Sequence, residues 1–98
     1  MGRTVEDSTE HEARLLKRVE PQYPVAARRE RLEGFVELRF TVSESGAVQD
    51  IEVLDAQPHG TFEQAAIAAV RRWKYLPRQI GTAPEPSEQR VRLYFRPD

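Results

Sequence analysis

Cysteine is absent from this 98-residue chain, which excludes disulfide bonds and thiol chemistry. An excess of charge of one sign is lacking too, because 15 basic and 16 acidic residues leave a net charge of −1. A dedicated nucleic-acid binder normally carries a positive excess, so we expect no nucleic-acid partner. No apolar run reaches the roughly 20 residues of a membrane-spanning helix. The length is that of one small domain with a single core.

Patterns that carry catalysis or bind metals are also missing. The two histidines, His11 and His59, are far apart in sequence and have no partners at the spacing of a zinc site. Phosphate-binding loops, nucleophile elbows and triad spacings do not occur. We therefore predict that the chain is not an enzyme and binds neither a cofactor nor a metal.

The sequence does contain the patterns of β-strands. Residues 35–42 and 89–96 alternate between apolar and polar side chains, which is typical of a strand with one buried face. A further strand over residues 47–54 follows a turn at 43–46, which predicts a hairpin. Val48 is out of phase with the rest of that strand and indicates a bulge or a late start. The last strand is predicted to turn its apolar residues inward and to present an outward row of Arg90, Arg92, Tyr94 and Arg96.

The stretch TFEQAAIAAVRRWK, residues 61–74, predicts the longest helix. Thr61 and Gln64 have the spacing of a capping box, and a stripe of apolar residues along one face includes Trp73. The aromatic and basic cluster VRRWKYLP at its end could form a nucleic-acid grip, but the stripe assigns Trp73 to the core. The cations next to it are then a solvated face and the end of the helix.

Prolines and glycines mark the remaining segments. Pro24 can begin a short helix that ends at Gly34, a residue type that favours left-handed termination. Residues 78–88 are rich in proline and predict a long loop. A short helix over residues 10–18 is predicted from its capping-box spacing, and residues 1–9 are polar enough to be disordered.

The order of these elements predicts an α+β fold, in which a three-stranded antiparallel-type sheet carries two helices on one face. The first strand has the longest apolar face and is assigned to the centre, which gives the order 2-1-3. On that arrangement the last strand is an edge whose unpaired backbone is open to strand addition.

The ordered run EPQYP…ARRERLEGFVELRFTV…SGAVQDIEVLDAQPHGTFEQAAIAAVRRWKYLP…VRLYF resembles the C-terminal domain of the TonB family, periplasmic energy transducers of Gram-negative bacteria. The resemblance covers about residues 19–95. Its QYP segment, Ser-Gly hairpin and Phe-led helix ending in RRWKYLP are specific in combination. It divides the chain into residues 1–18, a flexible segment or short helix at the end of a periplasmic spacer, and residues 19–98, the TonB-like domain.

What the resemblance implies is a domain that binds the TonB box, a short peptide of outer-membrane transporters, by β-strand addition. Energy from the proton gradient, harnessed by the ExbB–ExbD complex, would then drive uptake of iron–siderophore, haem or cobalamin. The resemblance also implies a periplasmic location and an inner-membrane helix that this sequence does not include. It assigns transporter contacts to Glu20, Pro21, Gln22, Tyr23 and Pro24, and peptide pairing to Arg90, Val91, Arg92, Leu93, Tyr94 and Phe95.

Two departures from the family pattern and two alternative functions remain. Glu20 stands where glutamine is commoner, and the loop at 78–88 is longer than usual. A TolA-like periplasmic scaffold, which binds envelope proteins rather than TonB boxes, is the nearest alternative. A nucleic-acid module that uses Arg90, Arg92 and Tyr94 is the other. The isolated domain could also form a homodimer by pairing its edge strands.

Overall fold

The fold is described for residues 2–5, 13–81 and 83–97, from a computed structural model. Its elements follow the chain in the order β1 (Gly2–Val5), β2 (Arg14–Lys17), α1 (Val25–Arg29), β3 (Gly34–Val42), β4 (Val48–Gln57), α2 (Glu63–Val70), β5 (Lys74–Leu76), β6 (Arg78–Ile80), β7 (Ala83–Glu85) and β8 (Ser87–Phe95). Within these ranges, neither helix combines the length and the apolar character that a membrane crossing needs.

The main sheet has four antiparallel strands in the order β1-β8-β3-β4. β3 and β8 pair along their whole length, from Gly34 opposite Phe95 to Val42 opposite Ser87. The predicted α+β class is confirmed, and the three predicted strands keep their predicted order, with β3 between β4 and β8. The sheet gains β1 on the outer side of β8, so β8 is not the edge strand that the predicted order 2-1-3 made it.

The hairpin of β3 and β4 is irregular. Its register shifts by one residue twice, after Glu37 and again after Arg39. Asp50 lies at the second shift and has a φ of +55°, which an aspartate adopts more readily than most side chains. The bulge predicted from the phase of Val48 is therefore present, and such bulges increase the local twist of the sheet.

The core lies between one face of the main sheet and the helices. β3 contributes four side chains that are at most 1 % exposed, namely Val36, Leu38, Phe40 and Val42. Trp73, which follows α2, is also 1 % exposed, and its Nε1 donates a hydrogen bond of 2.9 Å to the carbonyl of Val19. The prediction that Trp73 belongs to the core is confirmed. Burial of a large apolar side chain of this kind stabilises a fold by about 1.5–3 kcal/mol.

The start of α2 differs from the predicted capping box. Phe62 is the N-cap residue and makes no side-chain capping bond, so the box of Thr61 and Gln64 is wrong. Glu63 instead accepts a 2.8 Å hydrogen bond at Oε2 from the backbone N–H of Gly60. Its carboxylate thus satisfies a donor just before the first turn and lies where the helix dipole favours negative charge.

Gly34 begins β3 and does not end α1 as predicted. The left-handed residue after α1 is Arg31, with a φ of +55°, and the N–H of Leu32 donates to the carbonyl of Ala27, as in a Schellman motif. A Cβ atom at Gly34 would lie 1.9 Å from the carbonyl oxygen of Gln57. Glycine is needed at this position because the two backbones approach so closely.

Two further pairs of strands replace elements that were predicted otherwise. β2 pairs antiparallel with β5, so the predicted helix over residues 10–18 is wrong at Arg14–Lys17. β6 and β7 form a hairpin inside the stretch 78–88, which was predicted to be a loop. The predicted disorder of residues 1–9 is contradicted at Gly2–Val5, which form β1. Residues 1 and 6–12 lie outside the described ranges.

Candidate functional site

Tyr23 anchors the segment of residues 20–24 to the rest of the domain. Its ring meets the ring of Phe62 edge-on at 5.6 Å between centroids and that of Phe95 at 5.9 Å. Phe62 and Phe95 in turn stack on each other at 4.4 Å. The hydroxyl of Tyr23 donates a hydrogen bond to the carbonyl of Leu32. These contacts join the segment to the start of α2 and to the end of β8.

The surroundings of Tyr23 keep its hydroxyl protonated. Partial burial of the ring raises the pKa of Tyr23 above its ordinary value, and the negative charge of Glu33 raises it further. Arg28 and Arg31 act in the opposite direction with smaller effects. The guanidinium of Arg28 lies 5.9 Å from the centroid of the tyrosine ring. A protonated hydroxyl remains a donor, which is what its bond to a backbone carbonyl requires.

The other residues of the segment divide into buried and exposed ones. Pro21 is buried and holds the extended backbone in place, whereas Gln22 is exposed. Glu20 is exposed as well and forms a 3.1 Å ion pair with Arg18. The side chains available to a partner in this segment are therefore those of Glu20 and Gln22.

Two grooves run along the segment of residues 20–24. The first, of about 740 Å³, separates it from α2 and is lined on the helix side by Ala65, Ala69 and Arg72. The second, of about 720 Å³, lies towards α1 and is lined there by Arg28 and Arg29. The segment is therefore accessible from both sides, although Tyr23 anchors it to the domain.

β8 divides its predicted binding residues between the two faces of the sheet. Val91, Leu93 and Phe95 are at most 3 % exposed, as their inward orientation predicts. A partner can therefore reach these three only through their backbone. Arg90 and Arg92 belong to the opposite face together with Tyr94, and they can meet a partner through their side chains.

The outward face of β8 is an interlinked surface and not a row of free cations. Arg92 forms a 3.1 Å ion pair with Glu37, and its guanidinium lies 4.3 Å from the centroid of the Phe35 ring. Hydrogen bonds to Tyr94 and Glu37 raise the pKa of Arg92. Arg96 lies over Tyr94 at 5.2 Å. Side chains held in this way are poorly suited to a phosphate backbone, which needs available cations.

Arg39 links three strands of the same face and was not identified from the sequence. Its guanidinium lies 2.6 Å from Glu52 on β4 and 3.2 Å from Glu88 on β8. The hydrogen bond to Glu52 is the main reason that the pKa of Arg39 is raised. The sequence does contain opposite charges at outward-facing positions of these strands, which could have indicated the ion pairs. Which charges lie opposite each other, however, depends on the register between the strands.

The outer side of β8 carries β1. The register runs antiparallel from Gly2 opposite Phe95 to Val5 opposite Arg92. β1 therefore covers four of the nine residues of β8. This edge accepts a strand, and its chemistry is that of backbone hydrogen bonding.

Among the residues that the structure describes, no three histidine, cysteine, aspartate or glutamate side chains are grouped so that they could hold a metal ion.

Known proteins match most of the chain. The family model for the C-terminal part of the Gram-negative bacterial TonB protein matches residues 19–97. The TonB protein of Klebsiella pneumoniae is 41 % identical over 69 residues, which are 70 % of this chain and 28 % of that protein. The TonB2 protein of Pseudomonas aeruginosa is 36 % identical over 76 residues, which are 78 % of this chain and 28 % of that protein. The chain thus spans little more than a quarter of these relatives.

Two solved structures share the fold. The solution NMR structure of the Pseudomonas aeruginosa TonB C-terminal domain superposes with a TM-score of 0.75 at 25 % identity, covering 94 % of this chain and 95 % of that one. The structure of the TonB2 protein from Vibrio anguillarum gives a TM-score of 0.67 at 39 % identity, covering 96 % and 90 %. TonB proteins are energy transducers and not enzymes, in agreement with the prediction from the sequence. The chain belongs to the family of TonB C-terminal domains of Gram-negative bacteria.

Proposed function

We propose that this domain is the periplasmic, transporter-binding end of a TonB-type energy transducer. It binds the TonB box of an outer-membrane transporter by adding that peptide as a strand to the outer edge of β8. Energy that ExbB and ExbD derive from the proton gradient reaches the transporter through this contact and drives uptake of iron–siderophore, haem or cobalamin. In this proposal, ExbB and ExbD act on an inner-membrane helix of the full-length transducer.

The pairing of β8 with β1 is the observation that carries this proposal. It means that the outer edge of β8 has the geometry to accept an antiparallel strand over residues 92–95. In strand addition, main-chain hydrogen bonds supply affinity and side-chain contacts supply specificity. Arg90, Arg92 and Tyr94 belong to the outward face beside this edge, so they would contact the side chains of the added peptide.

The segment of residues 20–24 supplies the second contact with the transporter. Gln22 and Glu20 offer the exposed polar groups, whereas Pro21 and Tyr23 hold the segment in position. The adjoining grooves leave room for a partner on both sides of it. Pro24 adds a fixed backbone angle at the start of α1.

Contact between the two binding segments suits the transmission of force. The ring of Tyr23 lies against that of Phe95, so the segment of residues 20–24 and the end of β8 are coupled through one aromatic cluster. β8 is itself held to β3 along nine residue pairs. Backbone bonds that are loaded together in shear resist a pull along the strand better than bonds that open one after another.

The test is titration of a synthetic TonB-box peptide into isotope-labelled domain while backbone amide signals are monitored. We expect the changes to cluster at residues 90–95 and 20–24. The matched control is the same peptide with proline at its centre, which removes one donor and bends the strand. Equal binding of both peptides, or changes confined to other residues, would contradict strand addition at β8.

The same titration separates the alternative functions. Binding of peptides from other envelope proteins, with no binding of TonB boxes, would favour a TolA-like scaffold. Salt-dependent binding of single-stranded oligonucleotides would favour a nucleic-acid module. Light scattering during the titration detects a homodimer, which would use the same edge and dissociate as the peptide binds.

A further inference from the structure

β1 lies on the edge where the proposed function requires the partner peptide. Its four residues pair with residues 92–95 in antiparallel register. The backbone groups on one side of a strand can form a ladder with only one neighbour at a time. The N-terminal strand of the chain and an incoming peptide must therefore compete for the same part of β8.

We propose that Gly2–Val5 is an internal competitor, which covers part of the partner-binding edge until the transporter peptide displaces it. This inference rests on the proposed function and describes the regulation of that same site. Its effect is to lower the apparent affinity for peptides that are too short or too weak to replace β1.

The extent of β1 makes it displaceable. It pairs with β8 alone, because it is the outermost strand of the sheet. It covers four residues of a strand that has nine. A peptide that pairs with more than four residues of β8 forms every backbone bond that β1 gives up and adds further ones. Such a peptide gains backbone bonds in the exchange, whereas a peptide that pairs with four residues or fewer gains none.

The connection to the rest of the domain makes β1 a strong competitor for its size. Only residues 6–13 separate Val5 from β2, so the strand cannot diffuse away from the domain. A connection of so few residues holds a segment at an effective concentration in the millimolar range. Even if the pairing of β1 with β8 is weak, the paired state is then substantially populated. The apparent affinity of a competing peptide equals its intrinsic affinity multiplied by the fraction of molecules in which the edge of β8 is open.

The experiment compares the wild-type chain with three variants. One lacks residues 2–5, one carries Thr4→Pro, and one carries Thr4→Val. Proline removes a backbone donor and disfavours pairing, whereas valine preserves a strand-forming residue at the same position. Two quantities are measured: hydrogen exchange of the amides of residues 92–95 without peptide, and the affinity for a TonB-box peptide by fluorescence anisotropy.

We expect the deletion and Thr4→Pro to speed exchange of those amides of residues 92–95 that point away from β3. The same two variants should bind the peptide about tenfold more tightly, and at least about threefold, while Thr4→Val stays close to wild type. Unchanged exchange in both variants would overturn the pairing. Faster exchange with unchanged peptide affinity would overturn the competition.

Failure of the proposed function gives a different result. If neither the wild type nor any variant binds TonB-box peptides, the proposed function is overturned together with the role of β1 as a competitor. Hydrogen exchange alone then decides whether β1 covers β8, because that measurement uses no peptide. A proline-containing control peptide that responds to the deletion as strongly as the unmodified peptide would also overturn competition for the backbone edge.

Discussion

Removal of the Trp73 side chain should bring the domain close to unfolding. Trp73→Ala takes away a ring that is 1 % exposed, and losses of this kind typically cost about 3–5 kcal/mol. The hydrogen bond from Nε1 to Val19 adds about 1 kcal/mol. A domain of this size has a total stability of roughly 5–15 kcal/mol, so little of it would remain at the lower end of that range.

The assay is urea denaturation followed by far-ultraviolet circular dichroism, because Trp73 is the only tryptophan and its fluorescence is lost with it. A loss of about 5 kcal/mol at a slope of about 2 kcal/mol per molar urea lowers the midpoint by roughly 2.5 M. Trp73→Phe keeps an aromatic ring but removes the donor, so it should cost less. In that variant, hydrogen exchange should rise within residues 20–24, because the bond that holds Val19 is gone.

Arg72→Ala is the matched control, since Arg72 is the exposed neighbour of Trp73. A surface change of this kind normally alters stability by no more than about 0.5 kcal/mol. An unchanged midpoint for Trp73→Ala would refute the assignment of this ring to the core. A loss as large for Trp73→Phe as for Trp73→Ala would mean that the hydrogen bond, and not the packing, dominates.

Three further changes test single features of the fold. Gly34→Ala should cost at least about 2 kcal/mol by urea denaturation, because the new Cβ would collide with the carbonyl oxygen of Gln57. Tyr23→Phe should reduce the loss of stability that the wild type shows above about pH 10. The pKa of Tyr23 is raised in the folded state, so the protonated hydroxyl stabilises the fold below the ordinary pKa of tyrosine. That contribution is lost as the pH rises through the folded-state pKa, and the phenylalanine variant has no such contribution to lose. Glu63→Gln should reduce stability at neutral pH but not well below pH 4.5. The hydrogen bond from the Gly60 N–H lowers the pKa of Glu63, so the ionised carboxylate stabilises the fold at neutral pH. In the wild type this stabilisation is lost as the pH falls through the folded-state pKa.

Controls distinguish these effects from general damage. Gly81→Ala places a Cβ in open space at a φ of +64°, so it should cost only the backbone strain of about 1–2 kcal/mol. Tyr23→Phe should leave the ring contacts intact, and an identical alkaline profile in both proteins would contradict the raised pKa of Tyr23. An acid profile of Glu63→Gln that parallels the wild type throughout would contradict the role given to the Glu63 carboxylate.

The proposed binding residues were assigned through the family resemblance and not through periodicity. Alternation alone marked Arg90, Arg92 and Tyr94 as an outward row, but it gave no reason to link that strand to Tyr23. The structure brings the two segments together through the contact of Tyr23 with Phe95. Their roles in binding a transporter stay predictions until the titrations are done.

The sequence by itself determined the elements whose signal is local and long. β3 and β8 each alternate over nine residues, so side-chain periodicity was enough to assign them and their buried faces. Periodicity also identified α2 and placed Trp73 in the core, although the helix predicted over residues 61–74 ends at Val70 and Trp73 follows it. The family followed from ordered motifs over most of the chain, and the family model matches residues 19–97.

Only the tertiary structure decided the features that depend on a distant partner. β1 and β2 are four residues each, too short for a periodic pattern, and each is a strand because β8 or β5 supplies its hydrogen bonds. Gly34 was wrongly assigned to a helix end. Glycine is required there because the backbone of Gln57 lies against it, and a contact so distant in sequence leaves no local signal. Local sequence specifies which face of a segment is apolar, but backbone groups are satisfied by whichever strand lies beside them, and that is a property of the whole fold.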